Sequence, residues 1–177
     1  MAITLYAATI PTFLQVMGAV SRLVDRAETW CTEKGLAPAE LLDAKLADDM
    51  YTFAYQVKST AVHSMGAIEG LRRGVTGPEM LPPPDSFAGL RDRVRGAIAG
   101  LEGLDPAEIN AFEGCDMRFE FGEIRIDFTA QDFLLSFSQP NFHFHATTAY
   151  DLLRLKGLAI GKRDYLGAMA IKGRTGP

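Results

Sequence analysis

Apolar residues recur at three- and four-residue steps through four long stretches of this 177-residue chain, and between Met117 and Phe128 the spacing switches to alternation. A stripe of that first kind suits one face of a helix, and the second kind suits a half-buried strand. The pattern therefore predicts a mainly α protein: four long helices, each burying one face in a shared core, with a small β-hairpin inserted between the third and fourth.

The first stripe comprises Phe13, Val16, Met17, Val20, Leu23, Val24, Ala27, Trp30 and Cys31, with Pro11 suited to the first turn and Gly35 to the stop. A short helical turn is expected after Pro38. The second long helix is expected to start at a cap, Asp48 or Asp49, to bury Met50, Phe53, Ala54, Val57, Ala61, Met65, Ile68 and Leu71, and to end near Gly74. The proline-rich run 74–84 reads as a crossover loop, because proline lacks the amide donor and clashes with a preceding turn. A third helix follows from Ser86, burying Phe87, Leu90, Val94, Ala97, Ile98 and Leu101, with Arg91, Arg93 and Arg95 on a solvated face. Asp105-Pro106-Ala107-Glu108 marks one more short turn of helix.

The alternating segment predicts a hairpin over about 116–128 with a turn at Gly122-Glu123. That turn sets Phe121 opposite Ile124, Phe119 opposite Ile126 and Met117 opposite Phe128, and on the other face Glu120 opposite Arg125 and Arg118 opposite Asp127. Apolar pairs on one face and opposite charges on the other support the same register, at roughly 0.2 to 1 kcal/mol a pair. A short helix is expected from Thr129, ended by Gln139-Pro140. The last long helix is expected to run from a cap at Asn141 to Lys156, with Gly157 as a left-handed stop and a flexible basic tail over about 168–177. All of this fits a single domain over 1–177.

Composition narrows the function. A formal charge of -4 and a pI near 5.4 leave no broad cationic surface, so nucleic acid is not the expected partner. The stretch Ala2 to Ser21 carries no charged side chain. It lacks the basic n-region of a signal peptide, and its threonines, Pro11 and Gln15 interrupt a membrane span, which leads to the expectation of a cytoplasmic protein with no membrane partner. Cys31 and Cys115 match neither a zinc knuckle nor a redox pair and are expected to be reduced, buried thiols.

The candidate site lies in the segment Pro140 to Tyr150, which holds His143 and His145 among aromatic and hydroxyl groups. Residues two apart on a helix diverge by roughly 200°. The two rings therefore do not chelate one metal from a regular helix, although a looser helix start leaves shared ligation open. Free amides at a helix start also favour neutral imidazoles. Three readings stay open: structural histidines, a ligand or catalytic pocket, and a metal site. His63, on the second helix, shares a polar, small-residue face with Gln56 and Ser59, a face suited to a pocket or a subunit contact. Asp25, Glu28, Asp48 and Asp49 lack the Glu-x-x-His partners of a di-iron bundle, so surface and capping roles are expected for them. The Gly161-Lys162-Arg163 turn lacks the long glycine loop of a phosphate cradle and reads as a surface turn or chain-to-chain contact.

The segments Pro140 to Arg154 and Gly161 to Gly167, with Leu46-Ala47-Asp48-Asp49-Met50 and Gln56-Val57, closely resemble a bacterial and fungal domain-of-unknown-function family. That family is similar to the DinB-like (YfiT-like) four-helix bundles. The resemblance implies a DinB-like bundle, commonly a homodimer. It also implies a divalent metal such as zinc or nickel held by three histidines, and in some members thiol-dependent transferase activity. Carried onto this chain, the ligands would be His63, His143 and His145, because Ala149 interrupts the usual His-x-x-x-His pair of the last helix. The expected function is a small-ligand-binding or interaction module without a complete metal site, centred on His143, His145, Tyr150, His63 and Gln56. The alternative is a metal-dependent hydrolase or thiol-dependent transferase using His63, His143 and His145.

Overall fold

The computed structural model describes residues 2–173, so the last four residues of the expected tail lie outside the described part. Four helical stretches form the bundle: α1 (Leu5–Lys34), the broken pair α3 (Phe53–Val62) and α4 (Met65–Arg73), α5 (Phe87–Glu102), and α8 (Gln139–Leu155). Short α2 (Ala39–Leu42), α6 (Pro106–Ala111), α7 (Ala130–Asp132) and α9 (Lys162–Leu166) join or flank them. α1 and α3 each pack against both α5 and α8, which closes the bundle around one contiguous core. Its largest fully buried side chains include Phe13, Phe53, Phe133 and Phe142.

α1 begins six residues before Pro11 rather than at it. Leu5, Thr9 and Ile10 are buried, the Thr4 hydroxyl accepts from the Ala7 amide at 3.2 Å, and the Tyr6 amide donates to Asn110 Oδ1 on α6 at 3.0 Å. Burial and these two partners hold the extra turn despite the hydrogen bond that Pro11 cannot make. α1 is long and apolar enough to cross a membrane by composition alone, but half of its most apolar window is buried against the other helices, as in the core helix of a bundle.

The second helix differs from its sequence pattern in two ways. It starts at Phe53, where Thr52 caps the Tyr55 amide, because residues 43–51 fold back and the Phe53 amide donates to Ala44 O at 2.8 Å. It also breaks at His63-Ser64. The Ser64 hydroxyl turns back to Thr60 O at 2.7 Å, and the Ser138 hydroxyl donates to His63 O at 2.8 Å, so the break leaves that carbonyl satisfied.

The hairpin register is the expected one, from Met117 opposite Phe128 to Phe121 opposite Ile124, in strands β2 (Asp116–Phe121) and β3 (Ile124–Thr129). Gly122 has φ 59° and no non-glycine residue among the described residues has a positive φ, which is the sign pattern of a type II′ turn. Arg118 pairs with Asp127 at 2.6 Å and Arg125 with Glu120 at 3.2 Å. A third strand was not expected: Val75–Thr76, at the start of the proline-rich run, forms β1 and pairs parallel with β2. The apolar face is buried only at its inner end. Met117 is covered, whereas Phe121, Ile124 and Ile126 remain 41 to 55% exposed.

Gln139-Pro140 does not end a helix. From Ala130 the chain runs through a π-helical segment, Phe133–Ser138, directly into α8, and the wider π turn accommodates Pro140. Asn141 is therefore not a cap; its Nδ2 donates to Phe137 O at 2.7 Å. Two of the three arginines on α5 are not simply solvated, since Arg91 bridges Asp25 and Glu28 of α1 and Arg93 pairs with Glu79. Cys31 is buried but Cys115 is exposed, and neither forms a disulfide. α9 lies on α1, where Gln15 Nε2 donates to Leu166 O at 2.7 Å and Arg26 pairs with Asp164 at 2.7 Å, while Gly161, Lys162 and Arg163 themselves are exposed, as a surface turn would be.

Candidate functional site

His63, at the C-terminal end of α3, and His145, two turns into α8, face each other with ring centroids 5.5 Å apart and planes 17° from parallel. Gln56 completes this group. Its Nε2 donates to Tyr51 O at 3.1 Å, which turns its Oε1 toward His145 Nδ1 at 2.7 Å. A carbonyl oxygen only accepts, so His145 Nδ1 carries the proton and Nε2 is left as the acceptor. No hydrogen bond reaches either ring nitrogen of His63 among the described residues.

Burial holds both rings neutral. Desolvation, and next the neighbouring His145, pushes the pKa of His63 down to about 4; desolvation brings His145 to about 4 as well. With His145 now well inside a continuous helix, burial rather than free helix-start amides is what keeps the rings uncharged.

His143 and Tyr150 belong elsewhere. His143 Nδ1 lies 3.2 Å from the Tyr165 hydroxyl, and Tyr150 packs edge-on against Tyr165 at 6.1 Å, so these residues anchor α9 on another face of α8. The divergence expected from a two-residue spacing thus holds, and the expected single cluster separates in two. His63, His145 and Gln56 come together, while His143 and Tyr150 do not join them.

His63 and His145 line a partly enclosed cavity of about 230 Å³ between α3, α8, the hairpin, the π segment and the strap that follows β1, while Gln56 is buried behind His145 and does not line it. Aromatic rings make much of its wall. Tyr51 stacks on Tyr55 at 3.9 Å, Tyr55 meets His145 edge-on at 6.2 Å, and Phe137 lies 5.9 Å from His63 and 5.1 Å from Phe119. The π segment directs Phe133 and Phe137 into this space. Gly77 lets the strap pass close to β2, since a Cβ there would sit 2.5 Å from Glu120 O.

Lys58 is the polar group that sequence reasoning missed. It is 2% exposed, with Nζ donating to Glu79 O at 2.9 Å and to Leu81 O, facing Glu79 Oε1 at 3.4 Å and lying over the Tyr55 ring. A signal was present, because Lys58 is the only Lys, Arg, Asp or Glu between Asp49 and Glu69 and lies one helical turn from core positions Ala54 and Ala61. Beyond Glu79 a more open groove of about 660 Å³ runs along α4 and α5.

A three-histidine metal does not fit these donors. The cavity supplies two imidazoles, the position one turn after His145 is the buried Ala149, and no group of three His, Cys, Asp or Glu side chains able to hold an ion occurs among the described residues. A zinc site takes at least three protein ligands.

The chain is similar over most of its length to a DinB family member protein from Shewanella denitrificans known from a crystal structure: 29% identity, 96% of each chain covered, TM-score 0.77. The fold is accordingly a DinB-like bundle. No curated protein matches the sequence. The family model described as Domain of unknown function (DUF1993) matches residues 5–166, and the chain belongs to that family.

Proposed function

We propose that this protein binds a small, largely apolar ligand in the cavity between His63 and His145, without a metal. The observation that carries this reading is a pair of neutral imidazoles, one with its tautomer set by Gln56, in an aromatic cavity of about 230 Å³. A concave apolar site with a few placed polar groups is the usual form of a ligand pocket, and this volume, below the common range of roughly 300 to 1,000 Å³, suits a ligand of one ring or a short chain. His145 Nε2 favours a ligand O–H or N–H. Rings with pKa values of about 4 are weak bases near neutral pH, so they serve better to recognise a ligand than to remove its proton.

The test is a fragment titration followed through the Cε1–H resonances of the histidines. Saturable shifts of His63 and His145, with His143 unmoved, are expected. Fragments that move no histidine, or stoichiometric zinc, nickel or iron in untagged protein that disappears in His145→Ala, would overturn the reading. The same proposal takes the protein as a cytoplasmic homodimer, with the exposed Phe121, Ile124 and Ile126 face as its contact. Light scattering that gives a monomer removes that part.

A further inference from the structure

We infer that Lys58 and Arg93 form a carboxylate-binding subsite where this pocket meets the neighbouring groove, that Glu79 occupies it from within the chain, and that the ligand is a small apolar carboxylic acid. This rests on the pocket reading above and adds the chemical class of the ligand.

A buried ammonium is costly unless it is paired, and the partners of Lys58 are unusual in their source. Glu79 O, Leu81 O and the Glu79 carboxylate, its polar partners among the described residues, all belong to the strap that follows β1. The rest of the bundle gives this cation only the face of Tyr55. On its other side the Glu79 carboxylate pairs with Arg93 of α5, whose Nε is buried without a hydrogen-bond partner. Two cations from two bundle helices thus converge on one carboxylate, with one donor still unused. A bidentate acid is the partner that satisfies such a donor set.

The strap has little else to hold it at this point. Met80 and Leu81, on either side of the Lys58 contact, are 76% and 70% exposed, and Pro78 and Pro82 flank them. No apolar anchor opposes an outward movement of 79–81. Lys58 lines the cavity that holds Tyr55, Phe137, His63 and His145, Arg93 lines the neighbouring groove, and Glu79 lines both, so if Glu79 moves out the two cations face the space where cavity and groove meet. A ligand carboxylate then replaces Glu79, and its apolar body takes the aromatic wall.

Benzoate and its neutral counterpart benzamide test this, with wild-type protein and Glu79→Gln compared by calorimetry and by histidine resonances. Removing the internal competitor should make benzoate bind Glu79→Gln at least about tenfold more tightly than wild type, the margin of roughly one charge-assisted hydrogen bond, while benzamide shows no such gain. Adding Lys58→Met to Glu79→Gln should abolish the gain and also relieve the unpaired buried cation. Equal benzoate affinity in wild type and Glu79→Gln, or no benzoate binding to either, overturns the subsite. Benzamide binding that moves His63 and His145 while benzoate does not leaves the pocket standing and removes only the subsite. Should Glu79→Gln fail to fold, wild-type protein decides. Saturating benzoate must then shift the Glu79 carboxyl carbon together with the two histidines, and an unmoved Glu79 refutes the proposal.

Discussion

The histidine pair makes stability depend on pH in a definite direction. His63 and His145 titrate near 4 in the folded chain because burial penalises the imidazolium, against an ordinary value of 6.5 once unfolded. Unfolding therefore takes up protons between those two values, and stability falls as the pH falls through that window. Near pH 7 the effect is small. Near pH 5 each unfolded ring is almost fully charged and each folded ring almost fully neutral, which costs about 2 kcal/mol per ring, or about 4 kcal/mol for the two. That is a large part of the roughly 5 to 15 kcal/mol that holds a typical domain folded. His143, lowered by burial as well, acts in the same direction. Urea denaturation at the two pH values, with wild type and His63→Leu, measures this. His63 makes no side-chain hydrogen bond among the described residues, so leucine removes the titration without orphaning a partner. The variant should lose about 2 kcal/mol less than wild type between pH 7 and pH 5. Equal losses in both proteins, or resonances of His63 and His145 in the folded protein that titrate near 6.5, would refute the reasoning.

Other substitutions probe the frame of the site. Gly77→Ala should destabilise by about 1 to 3 kcal/mol in chemical denaturation, because the new methyl would lie 2.5 Å from a backbone carbonyl that cannot swing aside. Phe142→Ala removes a fully buried ring packed edge-on against Phe13 at 4.9 Å and should cost about 3 to 5 kcal/mol. Gln56→Leu should free the His145 ring, seen as loss of a single Nδ1–H tautomer in nitrogen-15 spectra of the imidazole, with the fold retained. Arg118→Ala breaks only exposed pairs with Asp127 and Glu120 and should change stability by less than about 1 kcal/mol.

Much of the frame could be read from local pattern. The hairpin register followed from alternation and one glycine turn, helices begin at Ser86, Asp105 and Thr129 as expected, and the resemblance to DinB-like bundles agrees with the fold. The helix boundaries that failed share a cause. Pro11, Asp48, Asp49 and Pro140 are strong local signals, and each was overruled from outside its own turn: Pro11 by a partner distant in sequence, Asp48 and Asp49 by a fold-back that ties Phe53 to Ala44, and Pro140 by a change of helical pitch.

The site divides along the same line. Helical spacing alone separated His143 from His145, since a two-residue step turns about 200° whatever surrounds the helix. It could not say which ring meets His63, because that depends on how α3 and α8 pack and on the break at His63-Ser64 that Ser138 supports. Nor could it show that Lys58 is buried beneath a proline-rich strap, or that Glu79 lies between Lys58 and Arg93. Periodicity acts over a few residues and determines which faces are apolar. Packing brings together residues far apart in the chain, and it alone decided that His63, His145 and Lys58 line one cavity and that Glu79 lies between that cavity and Arg93.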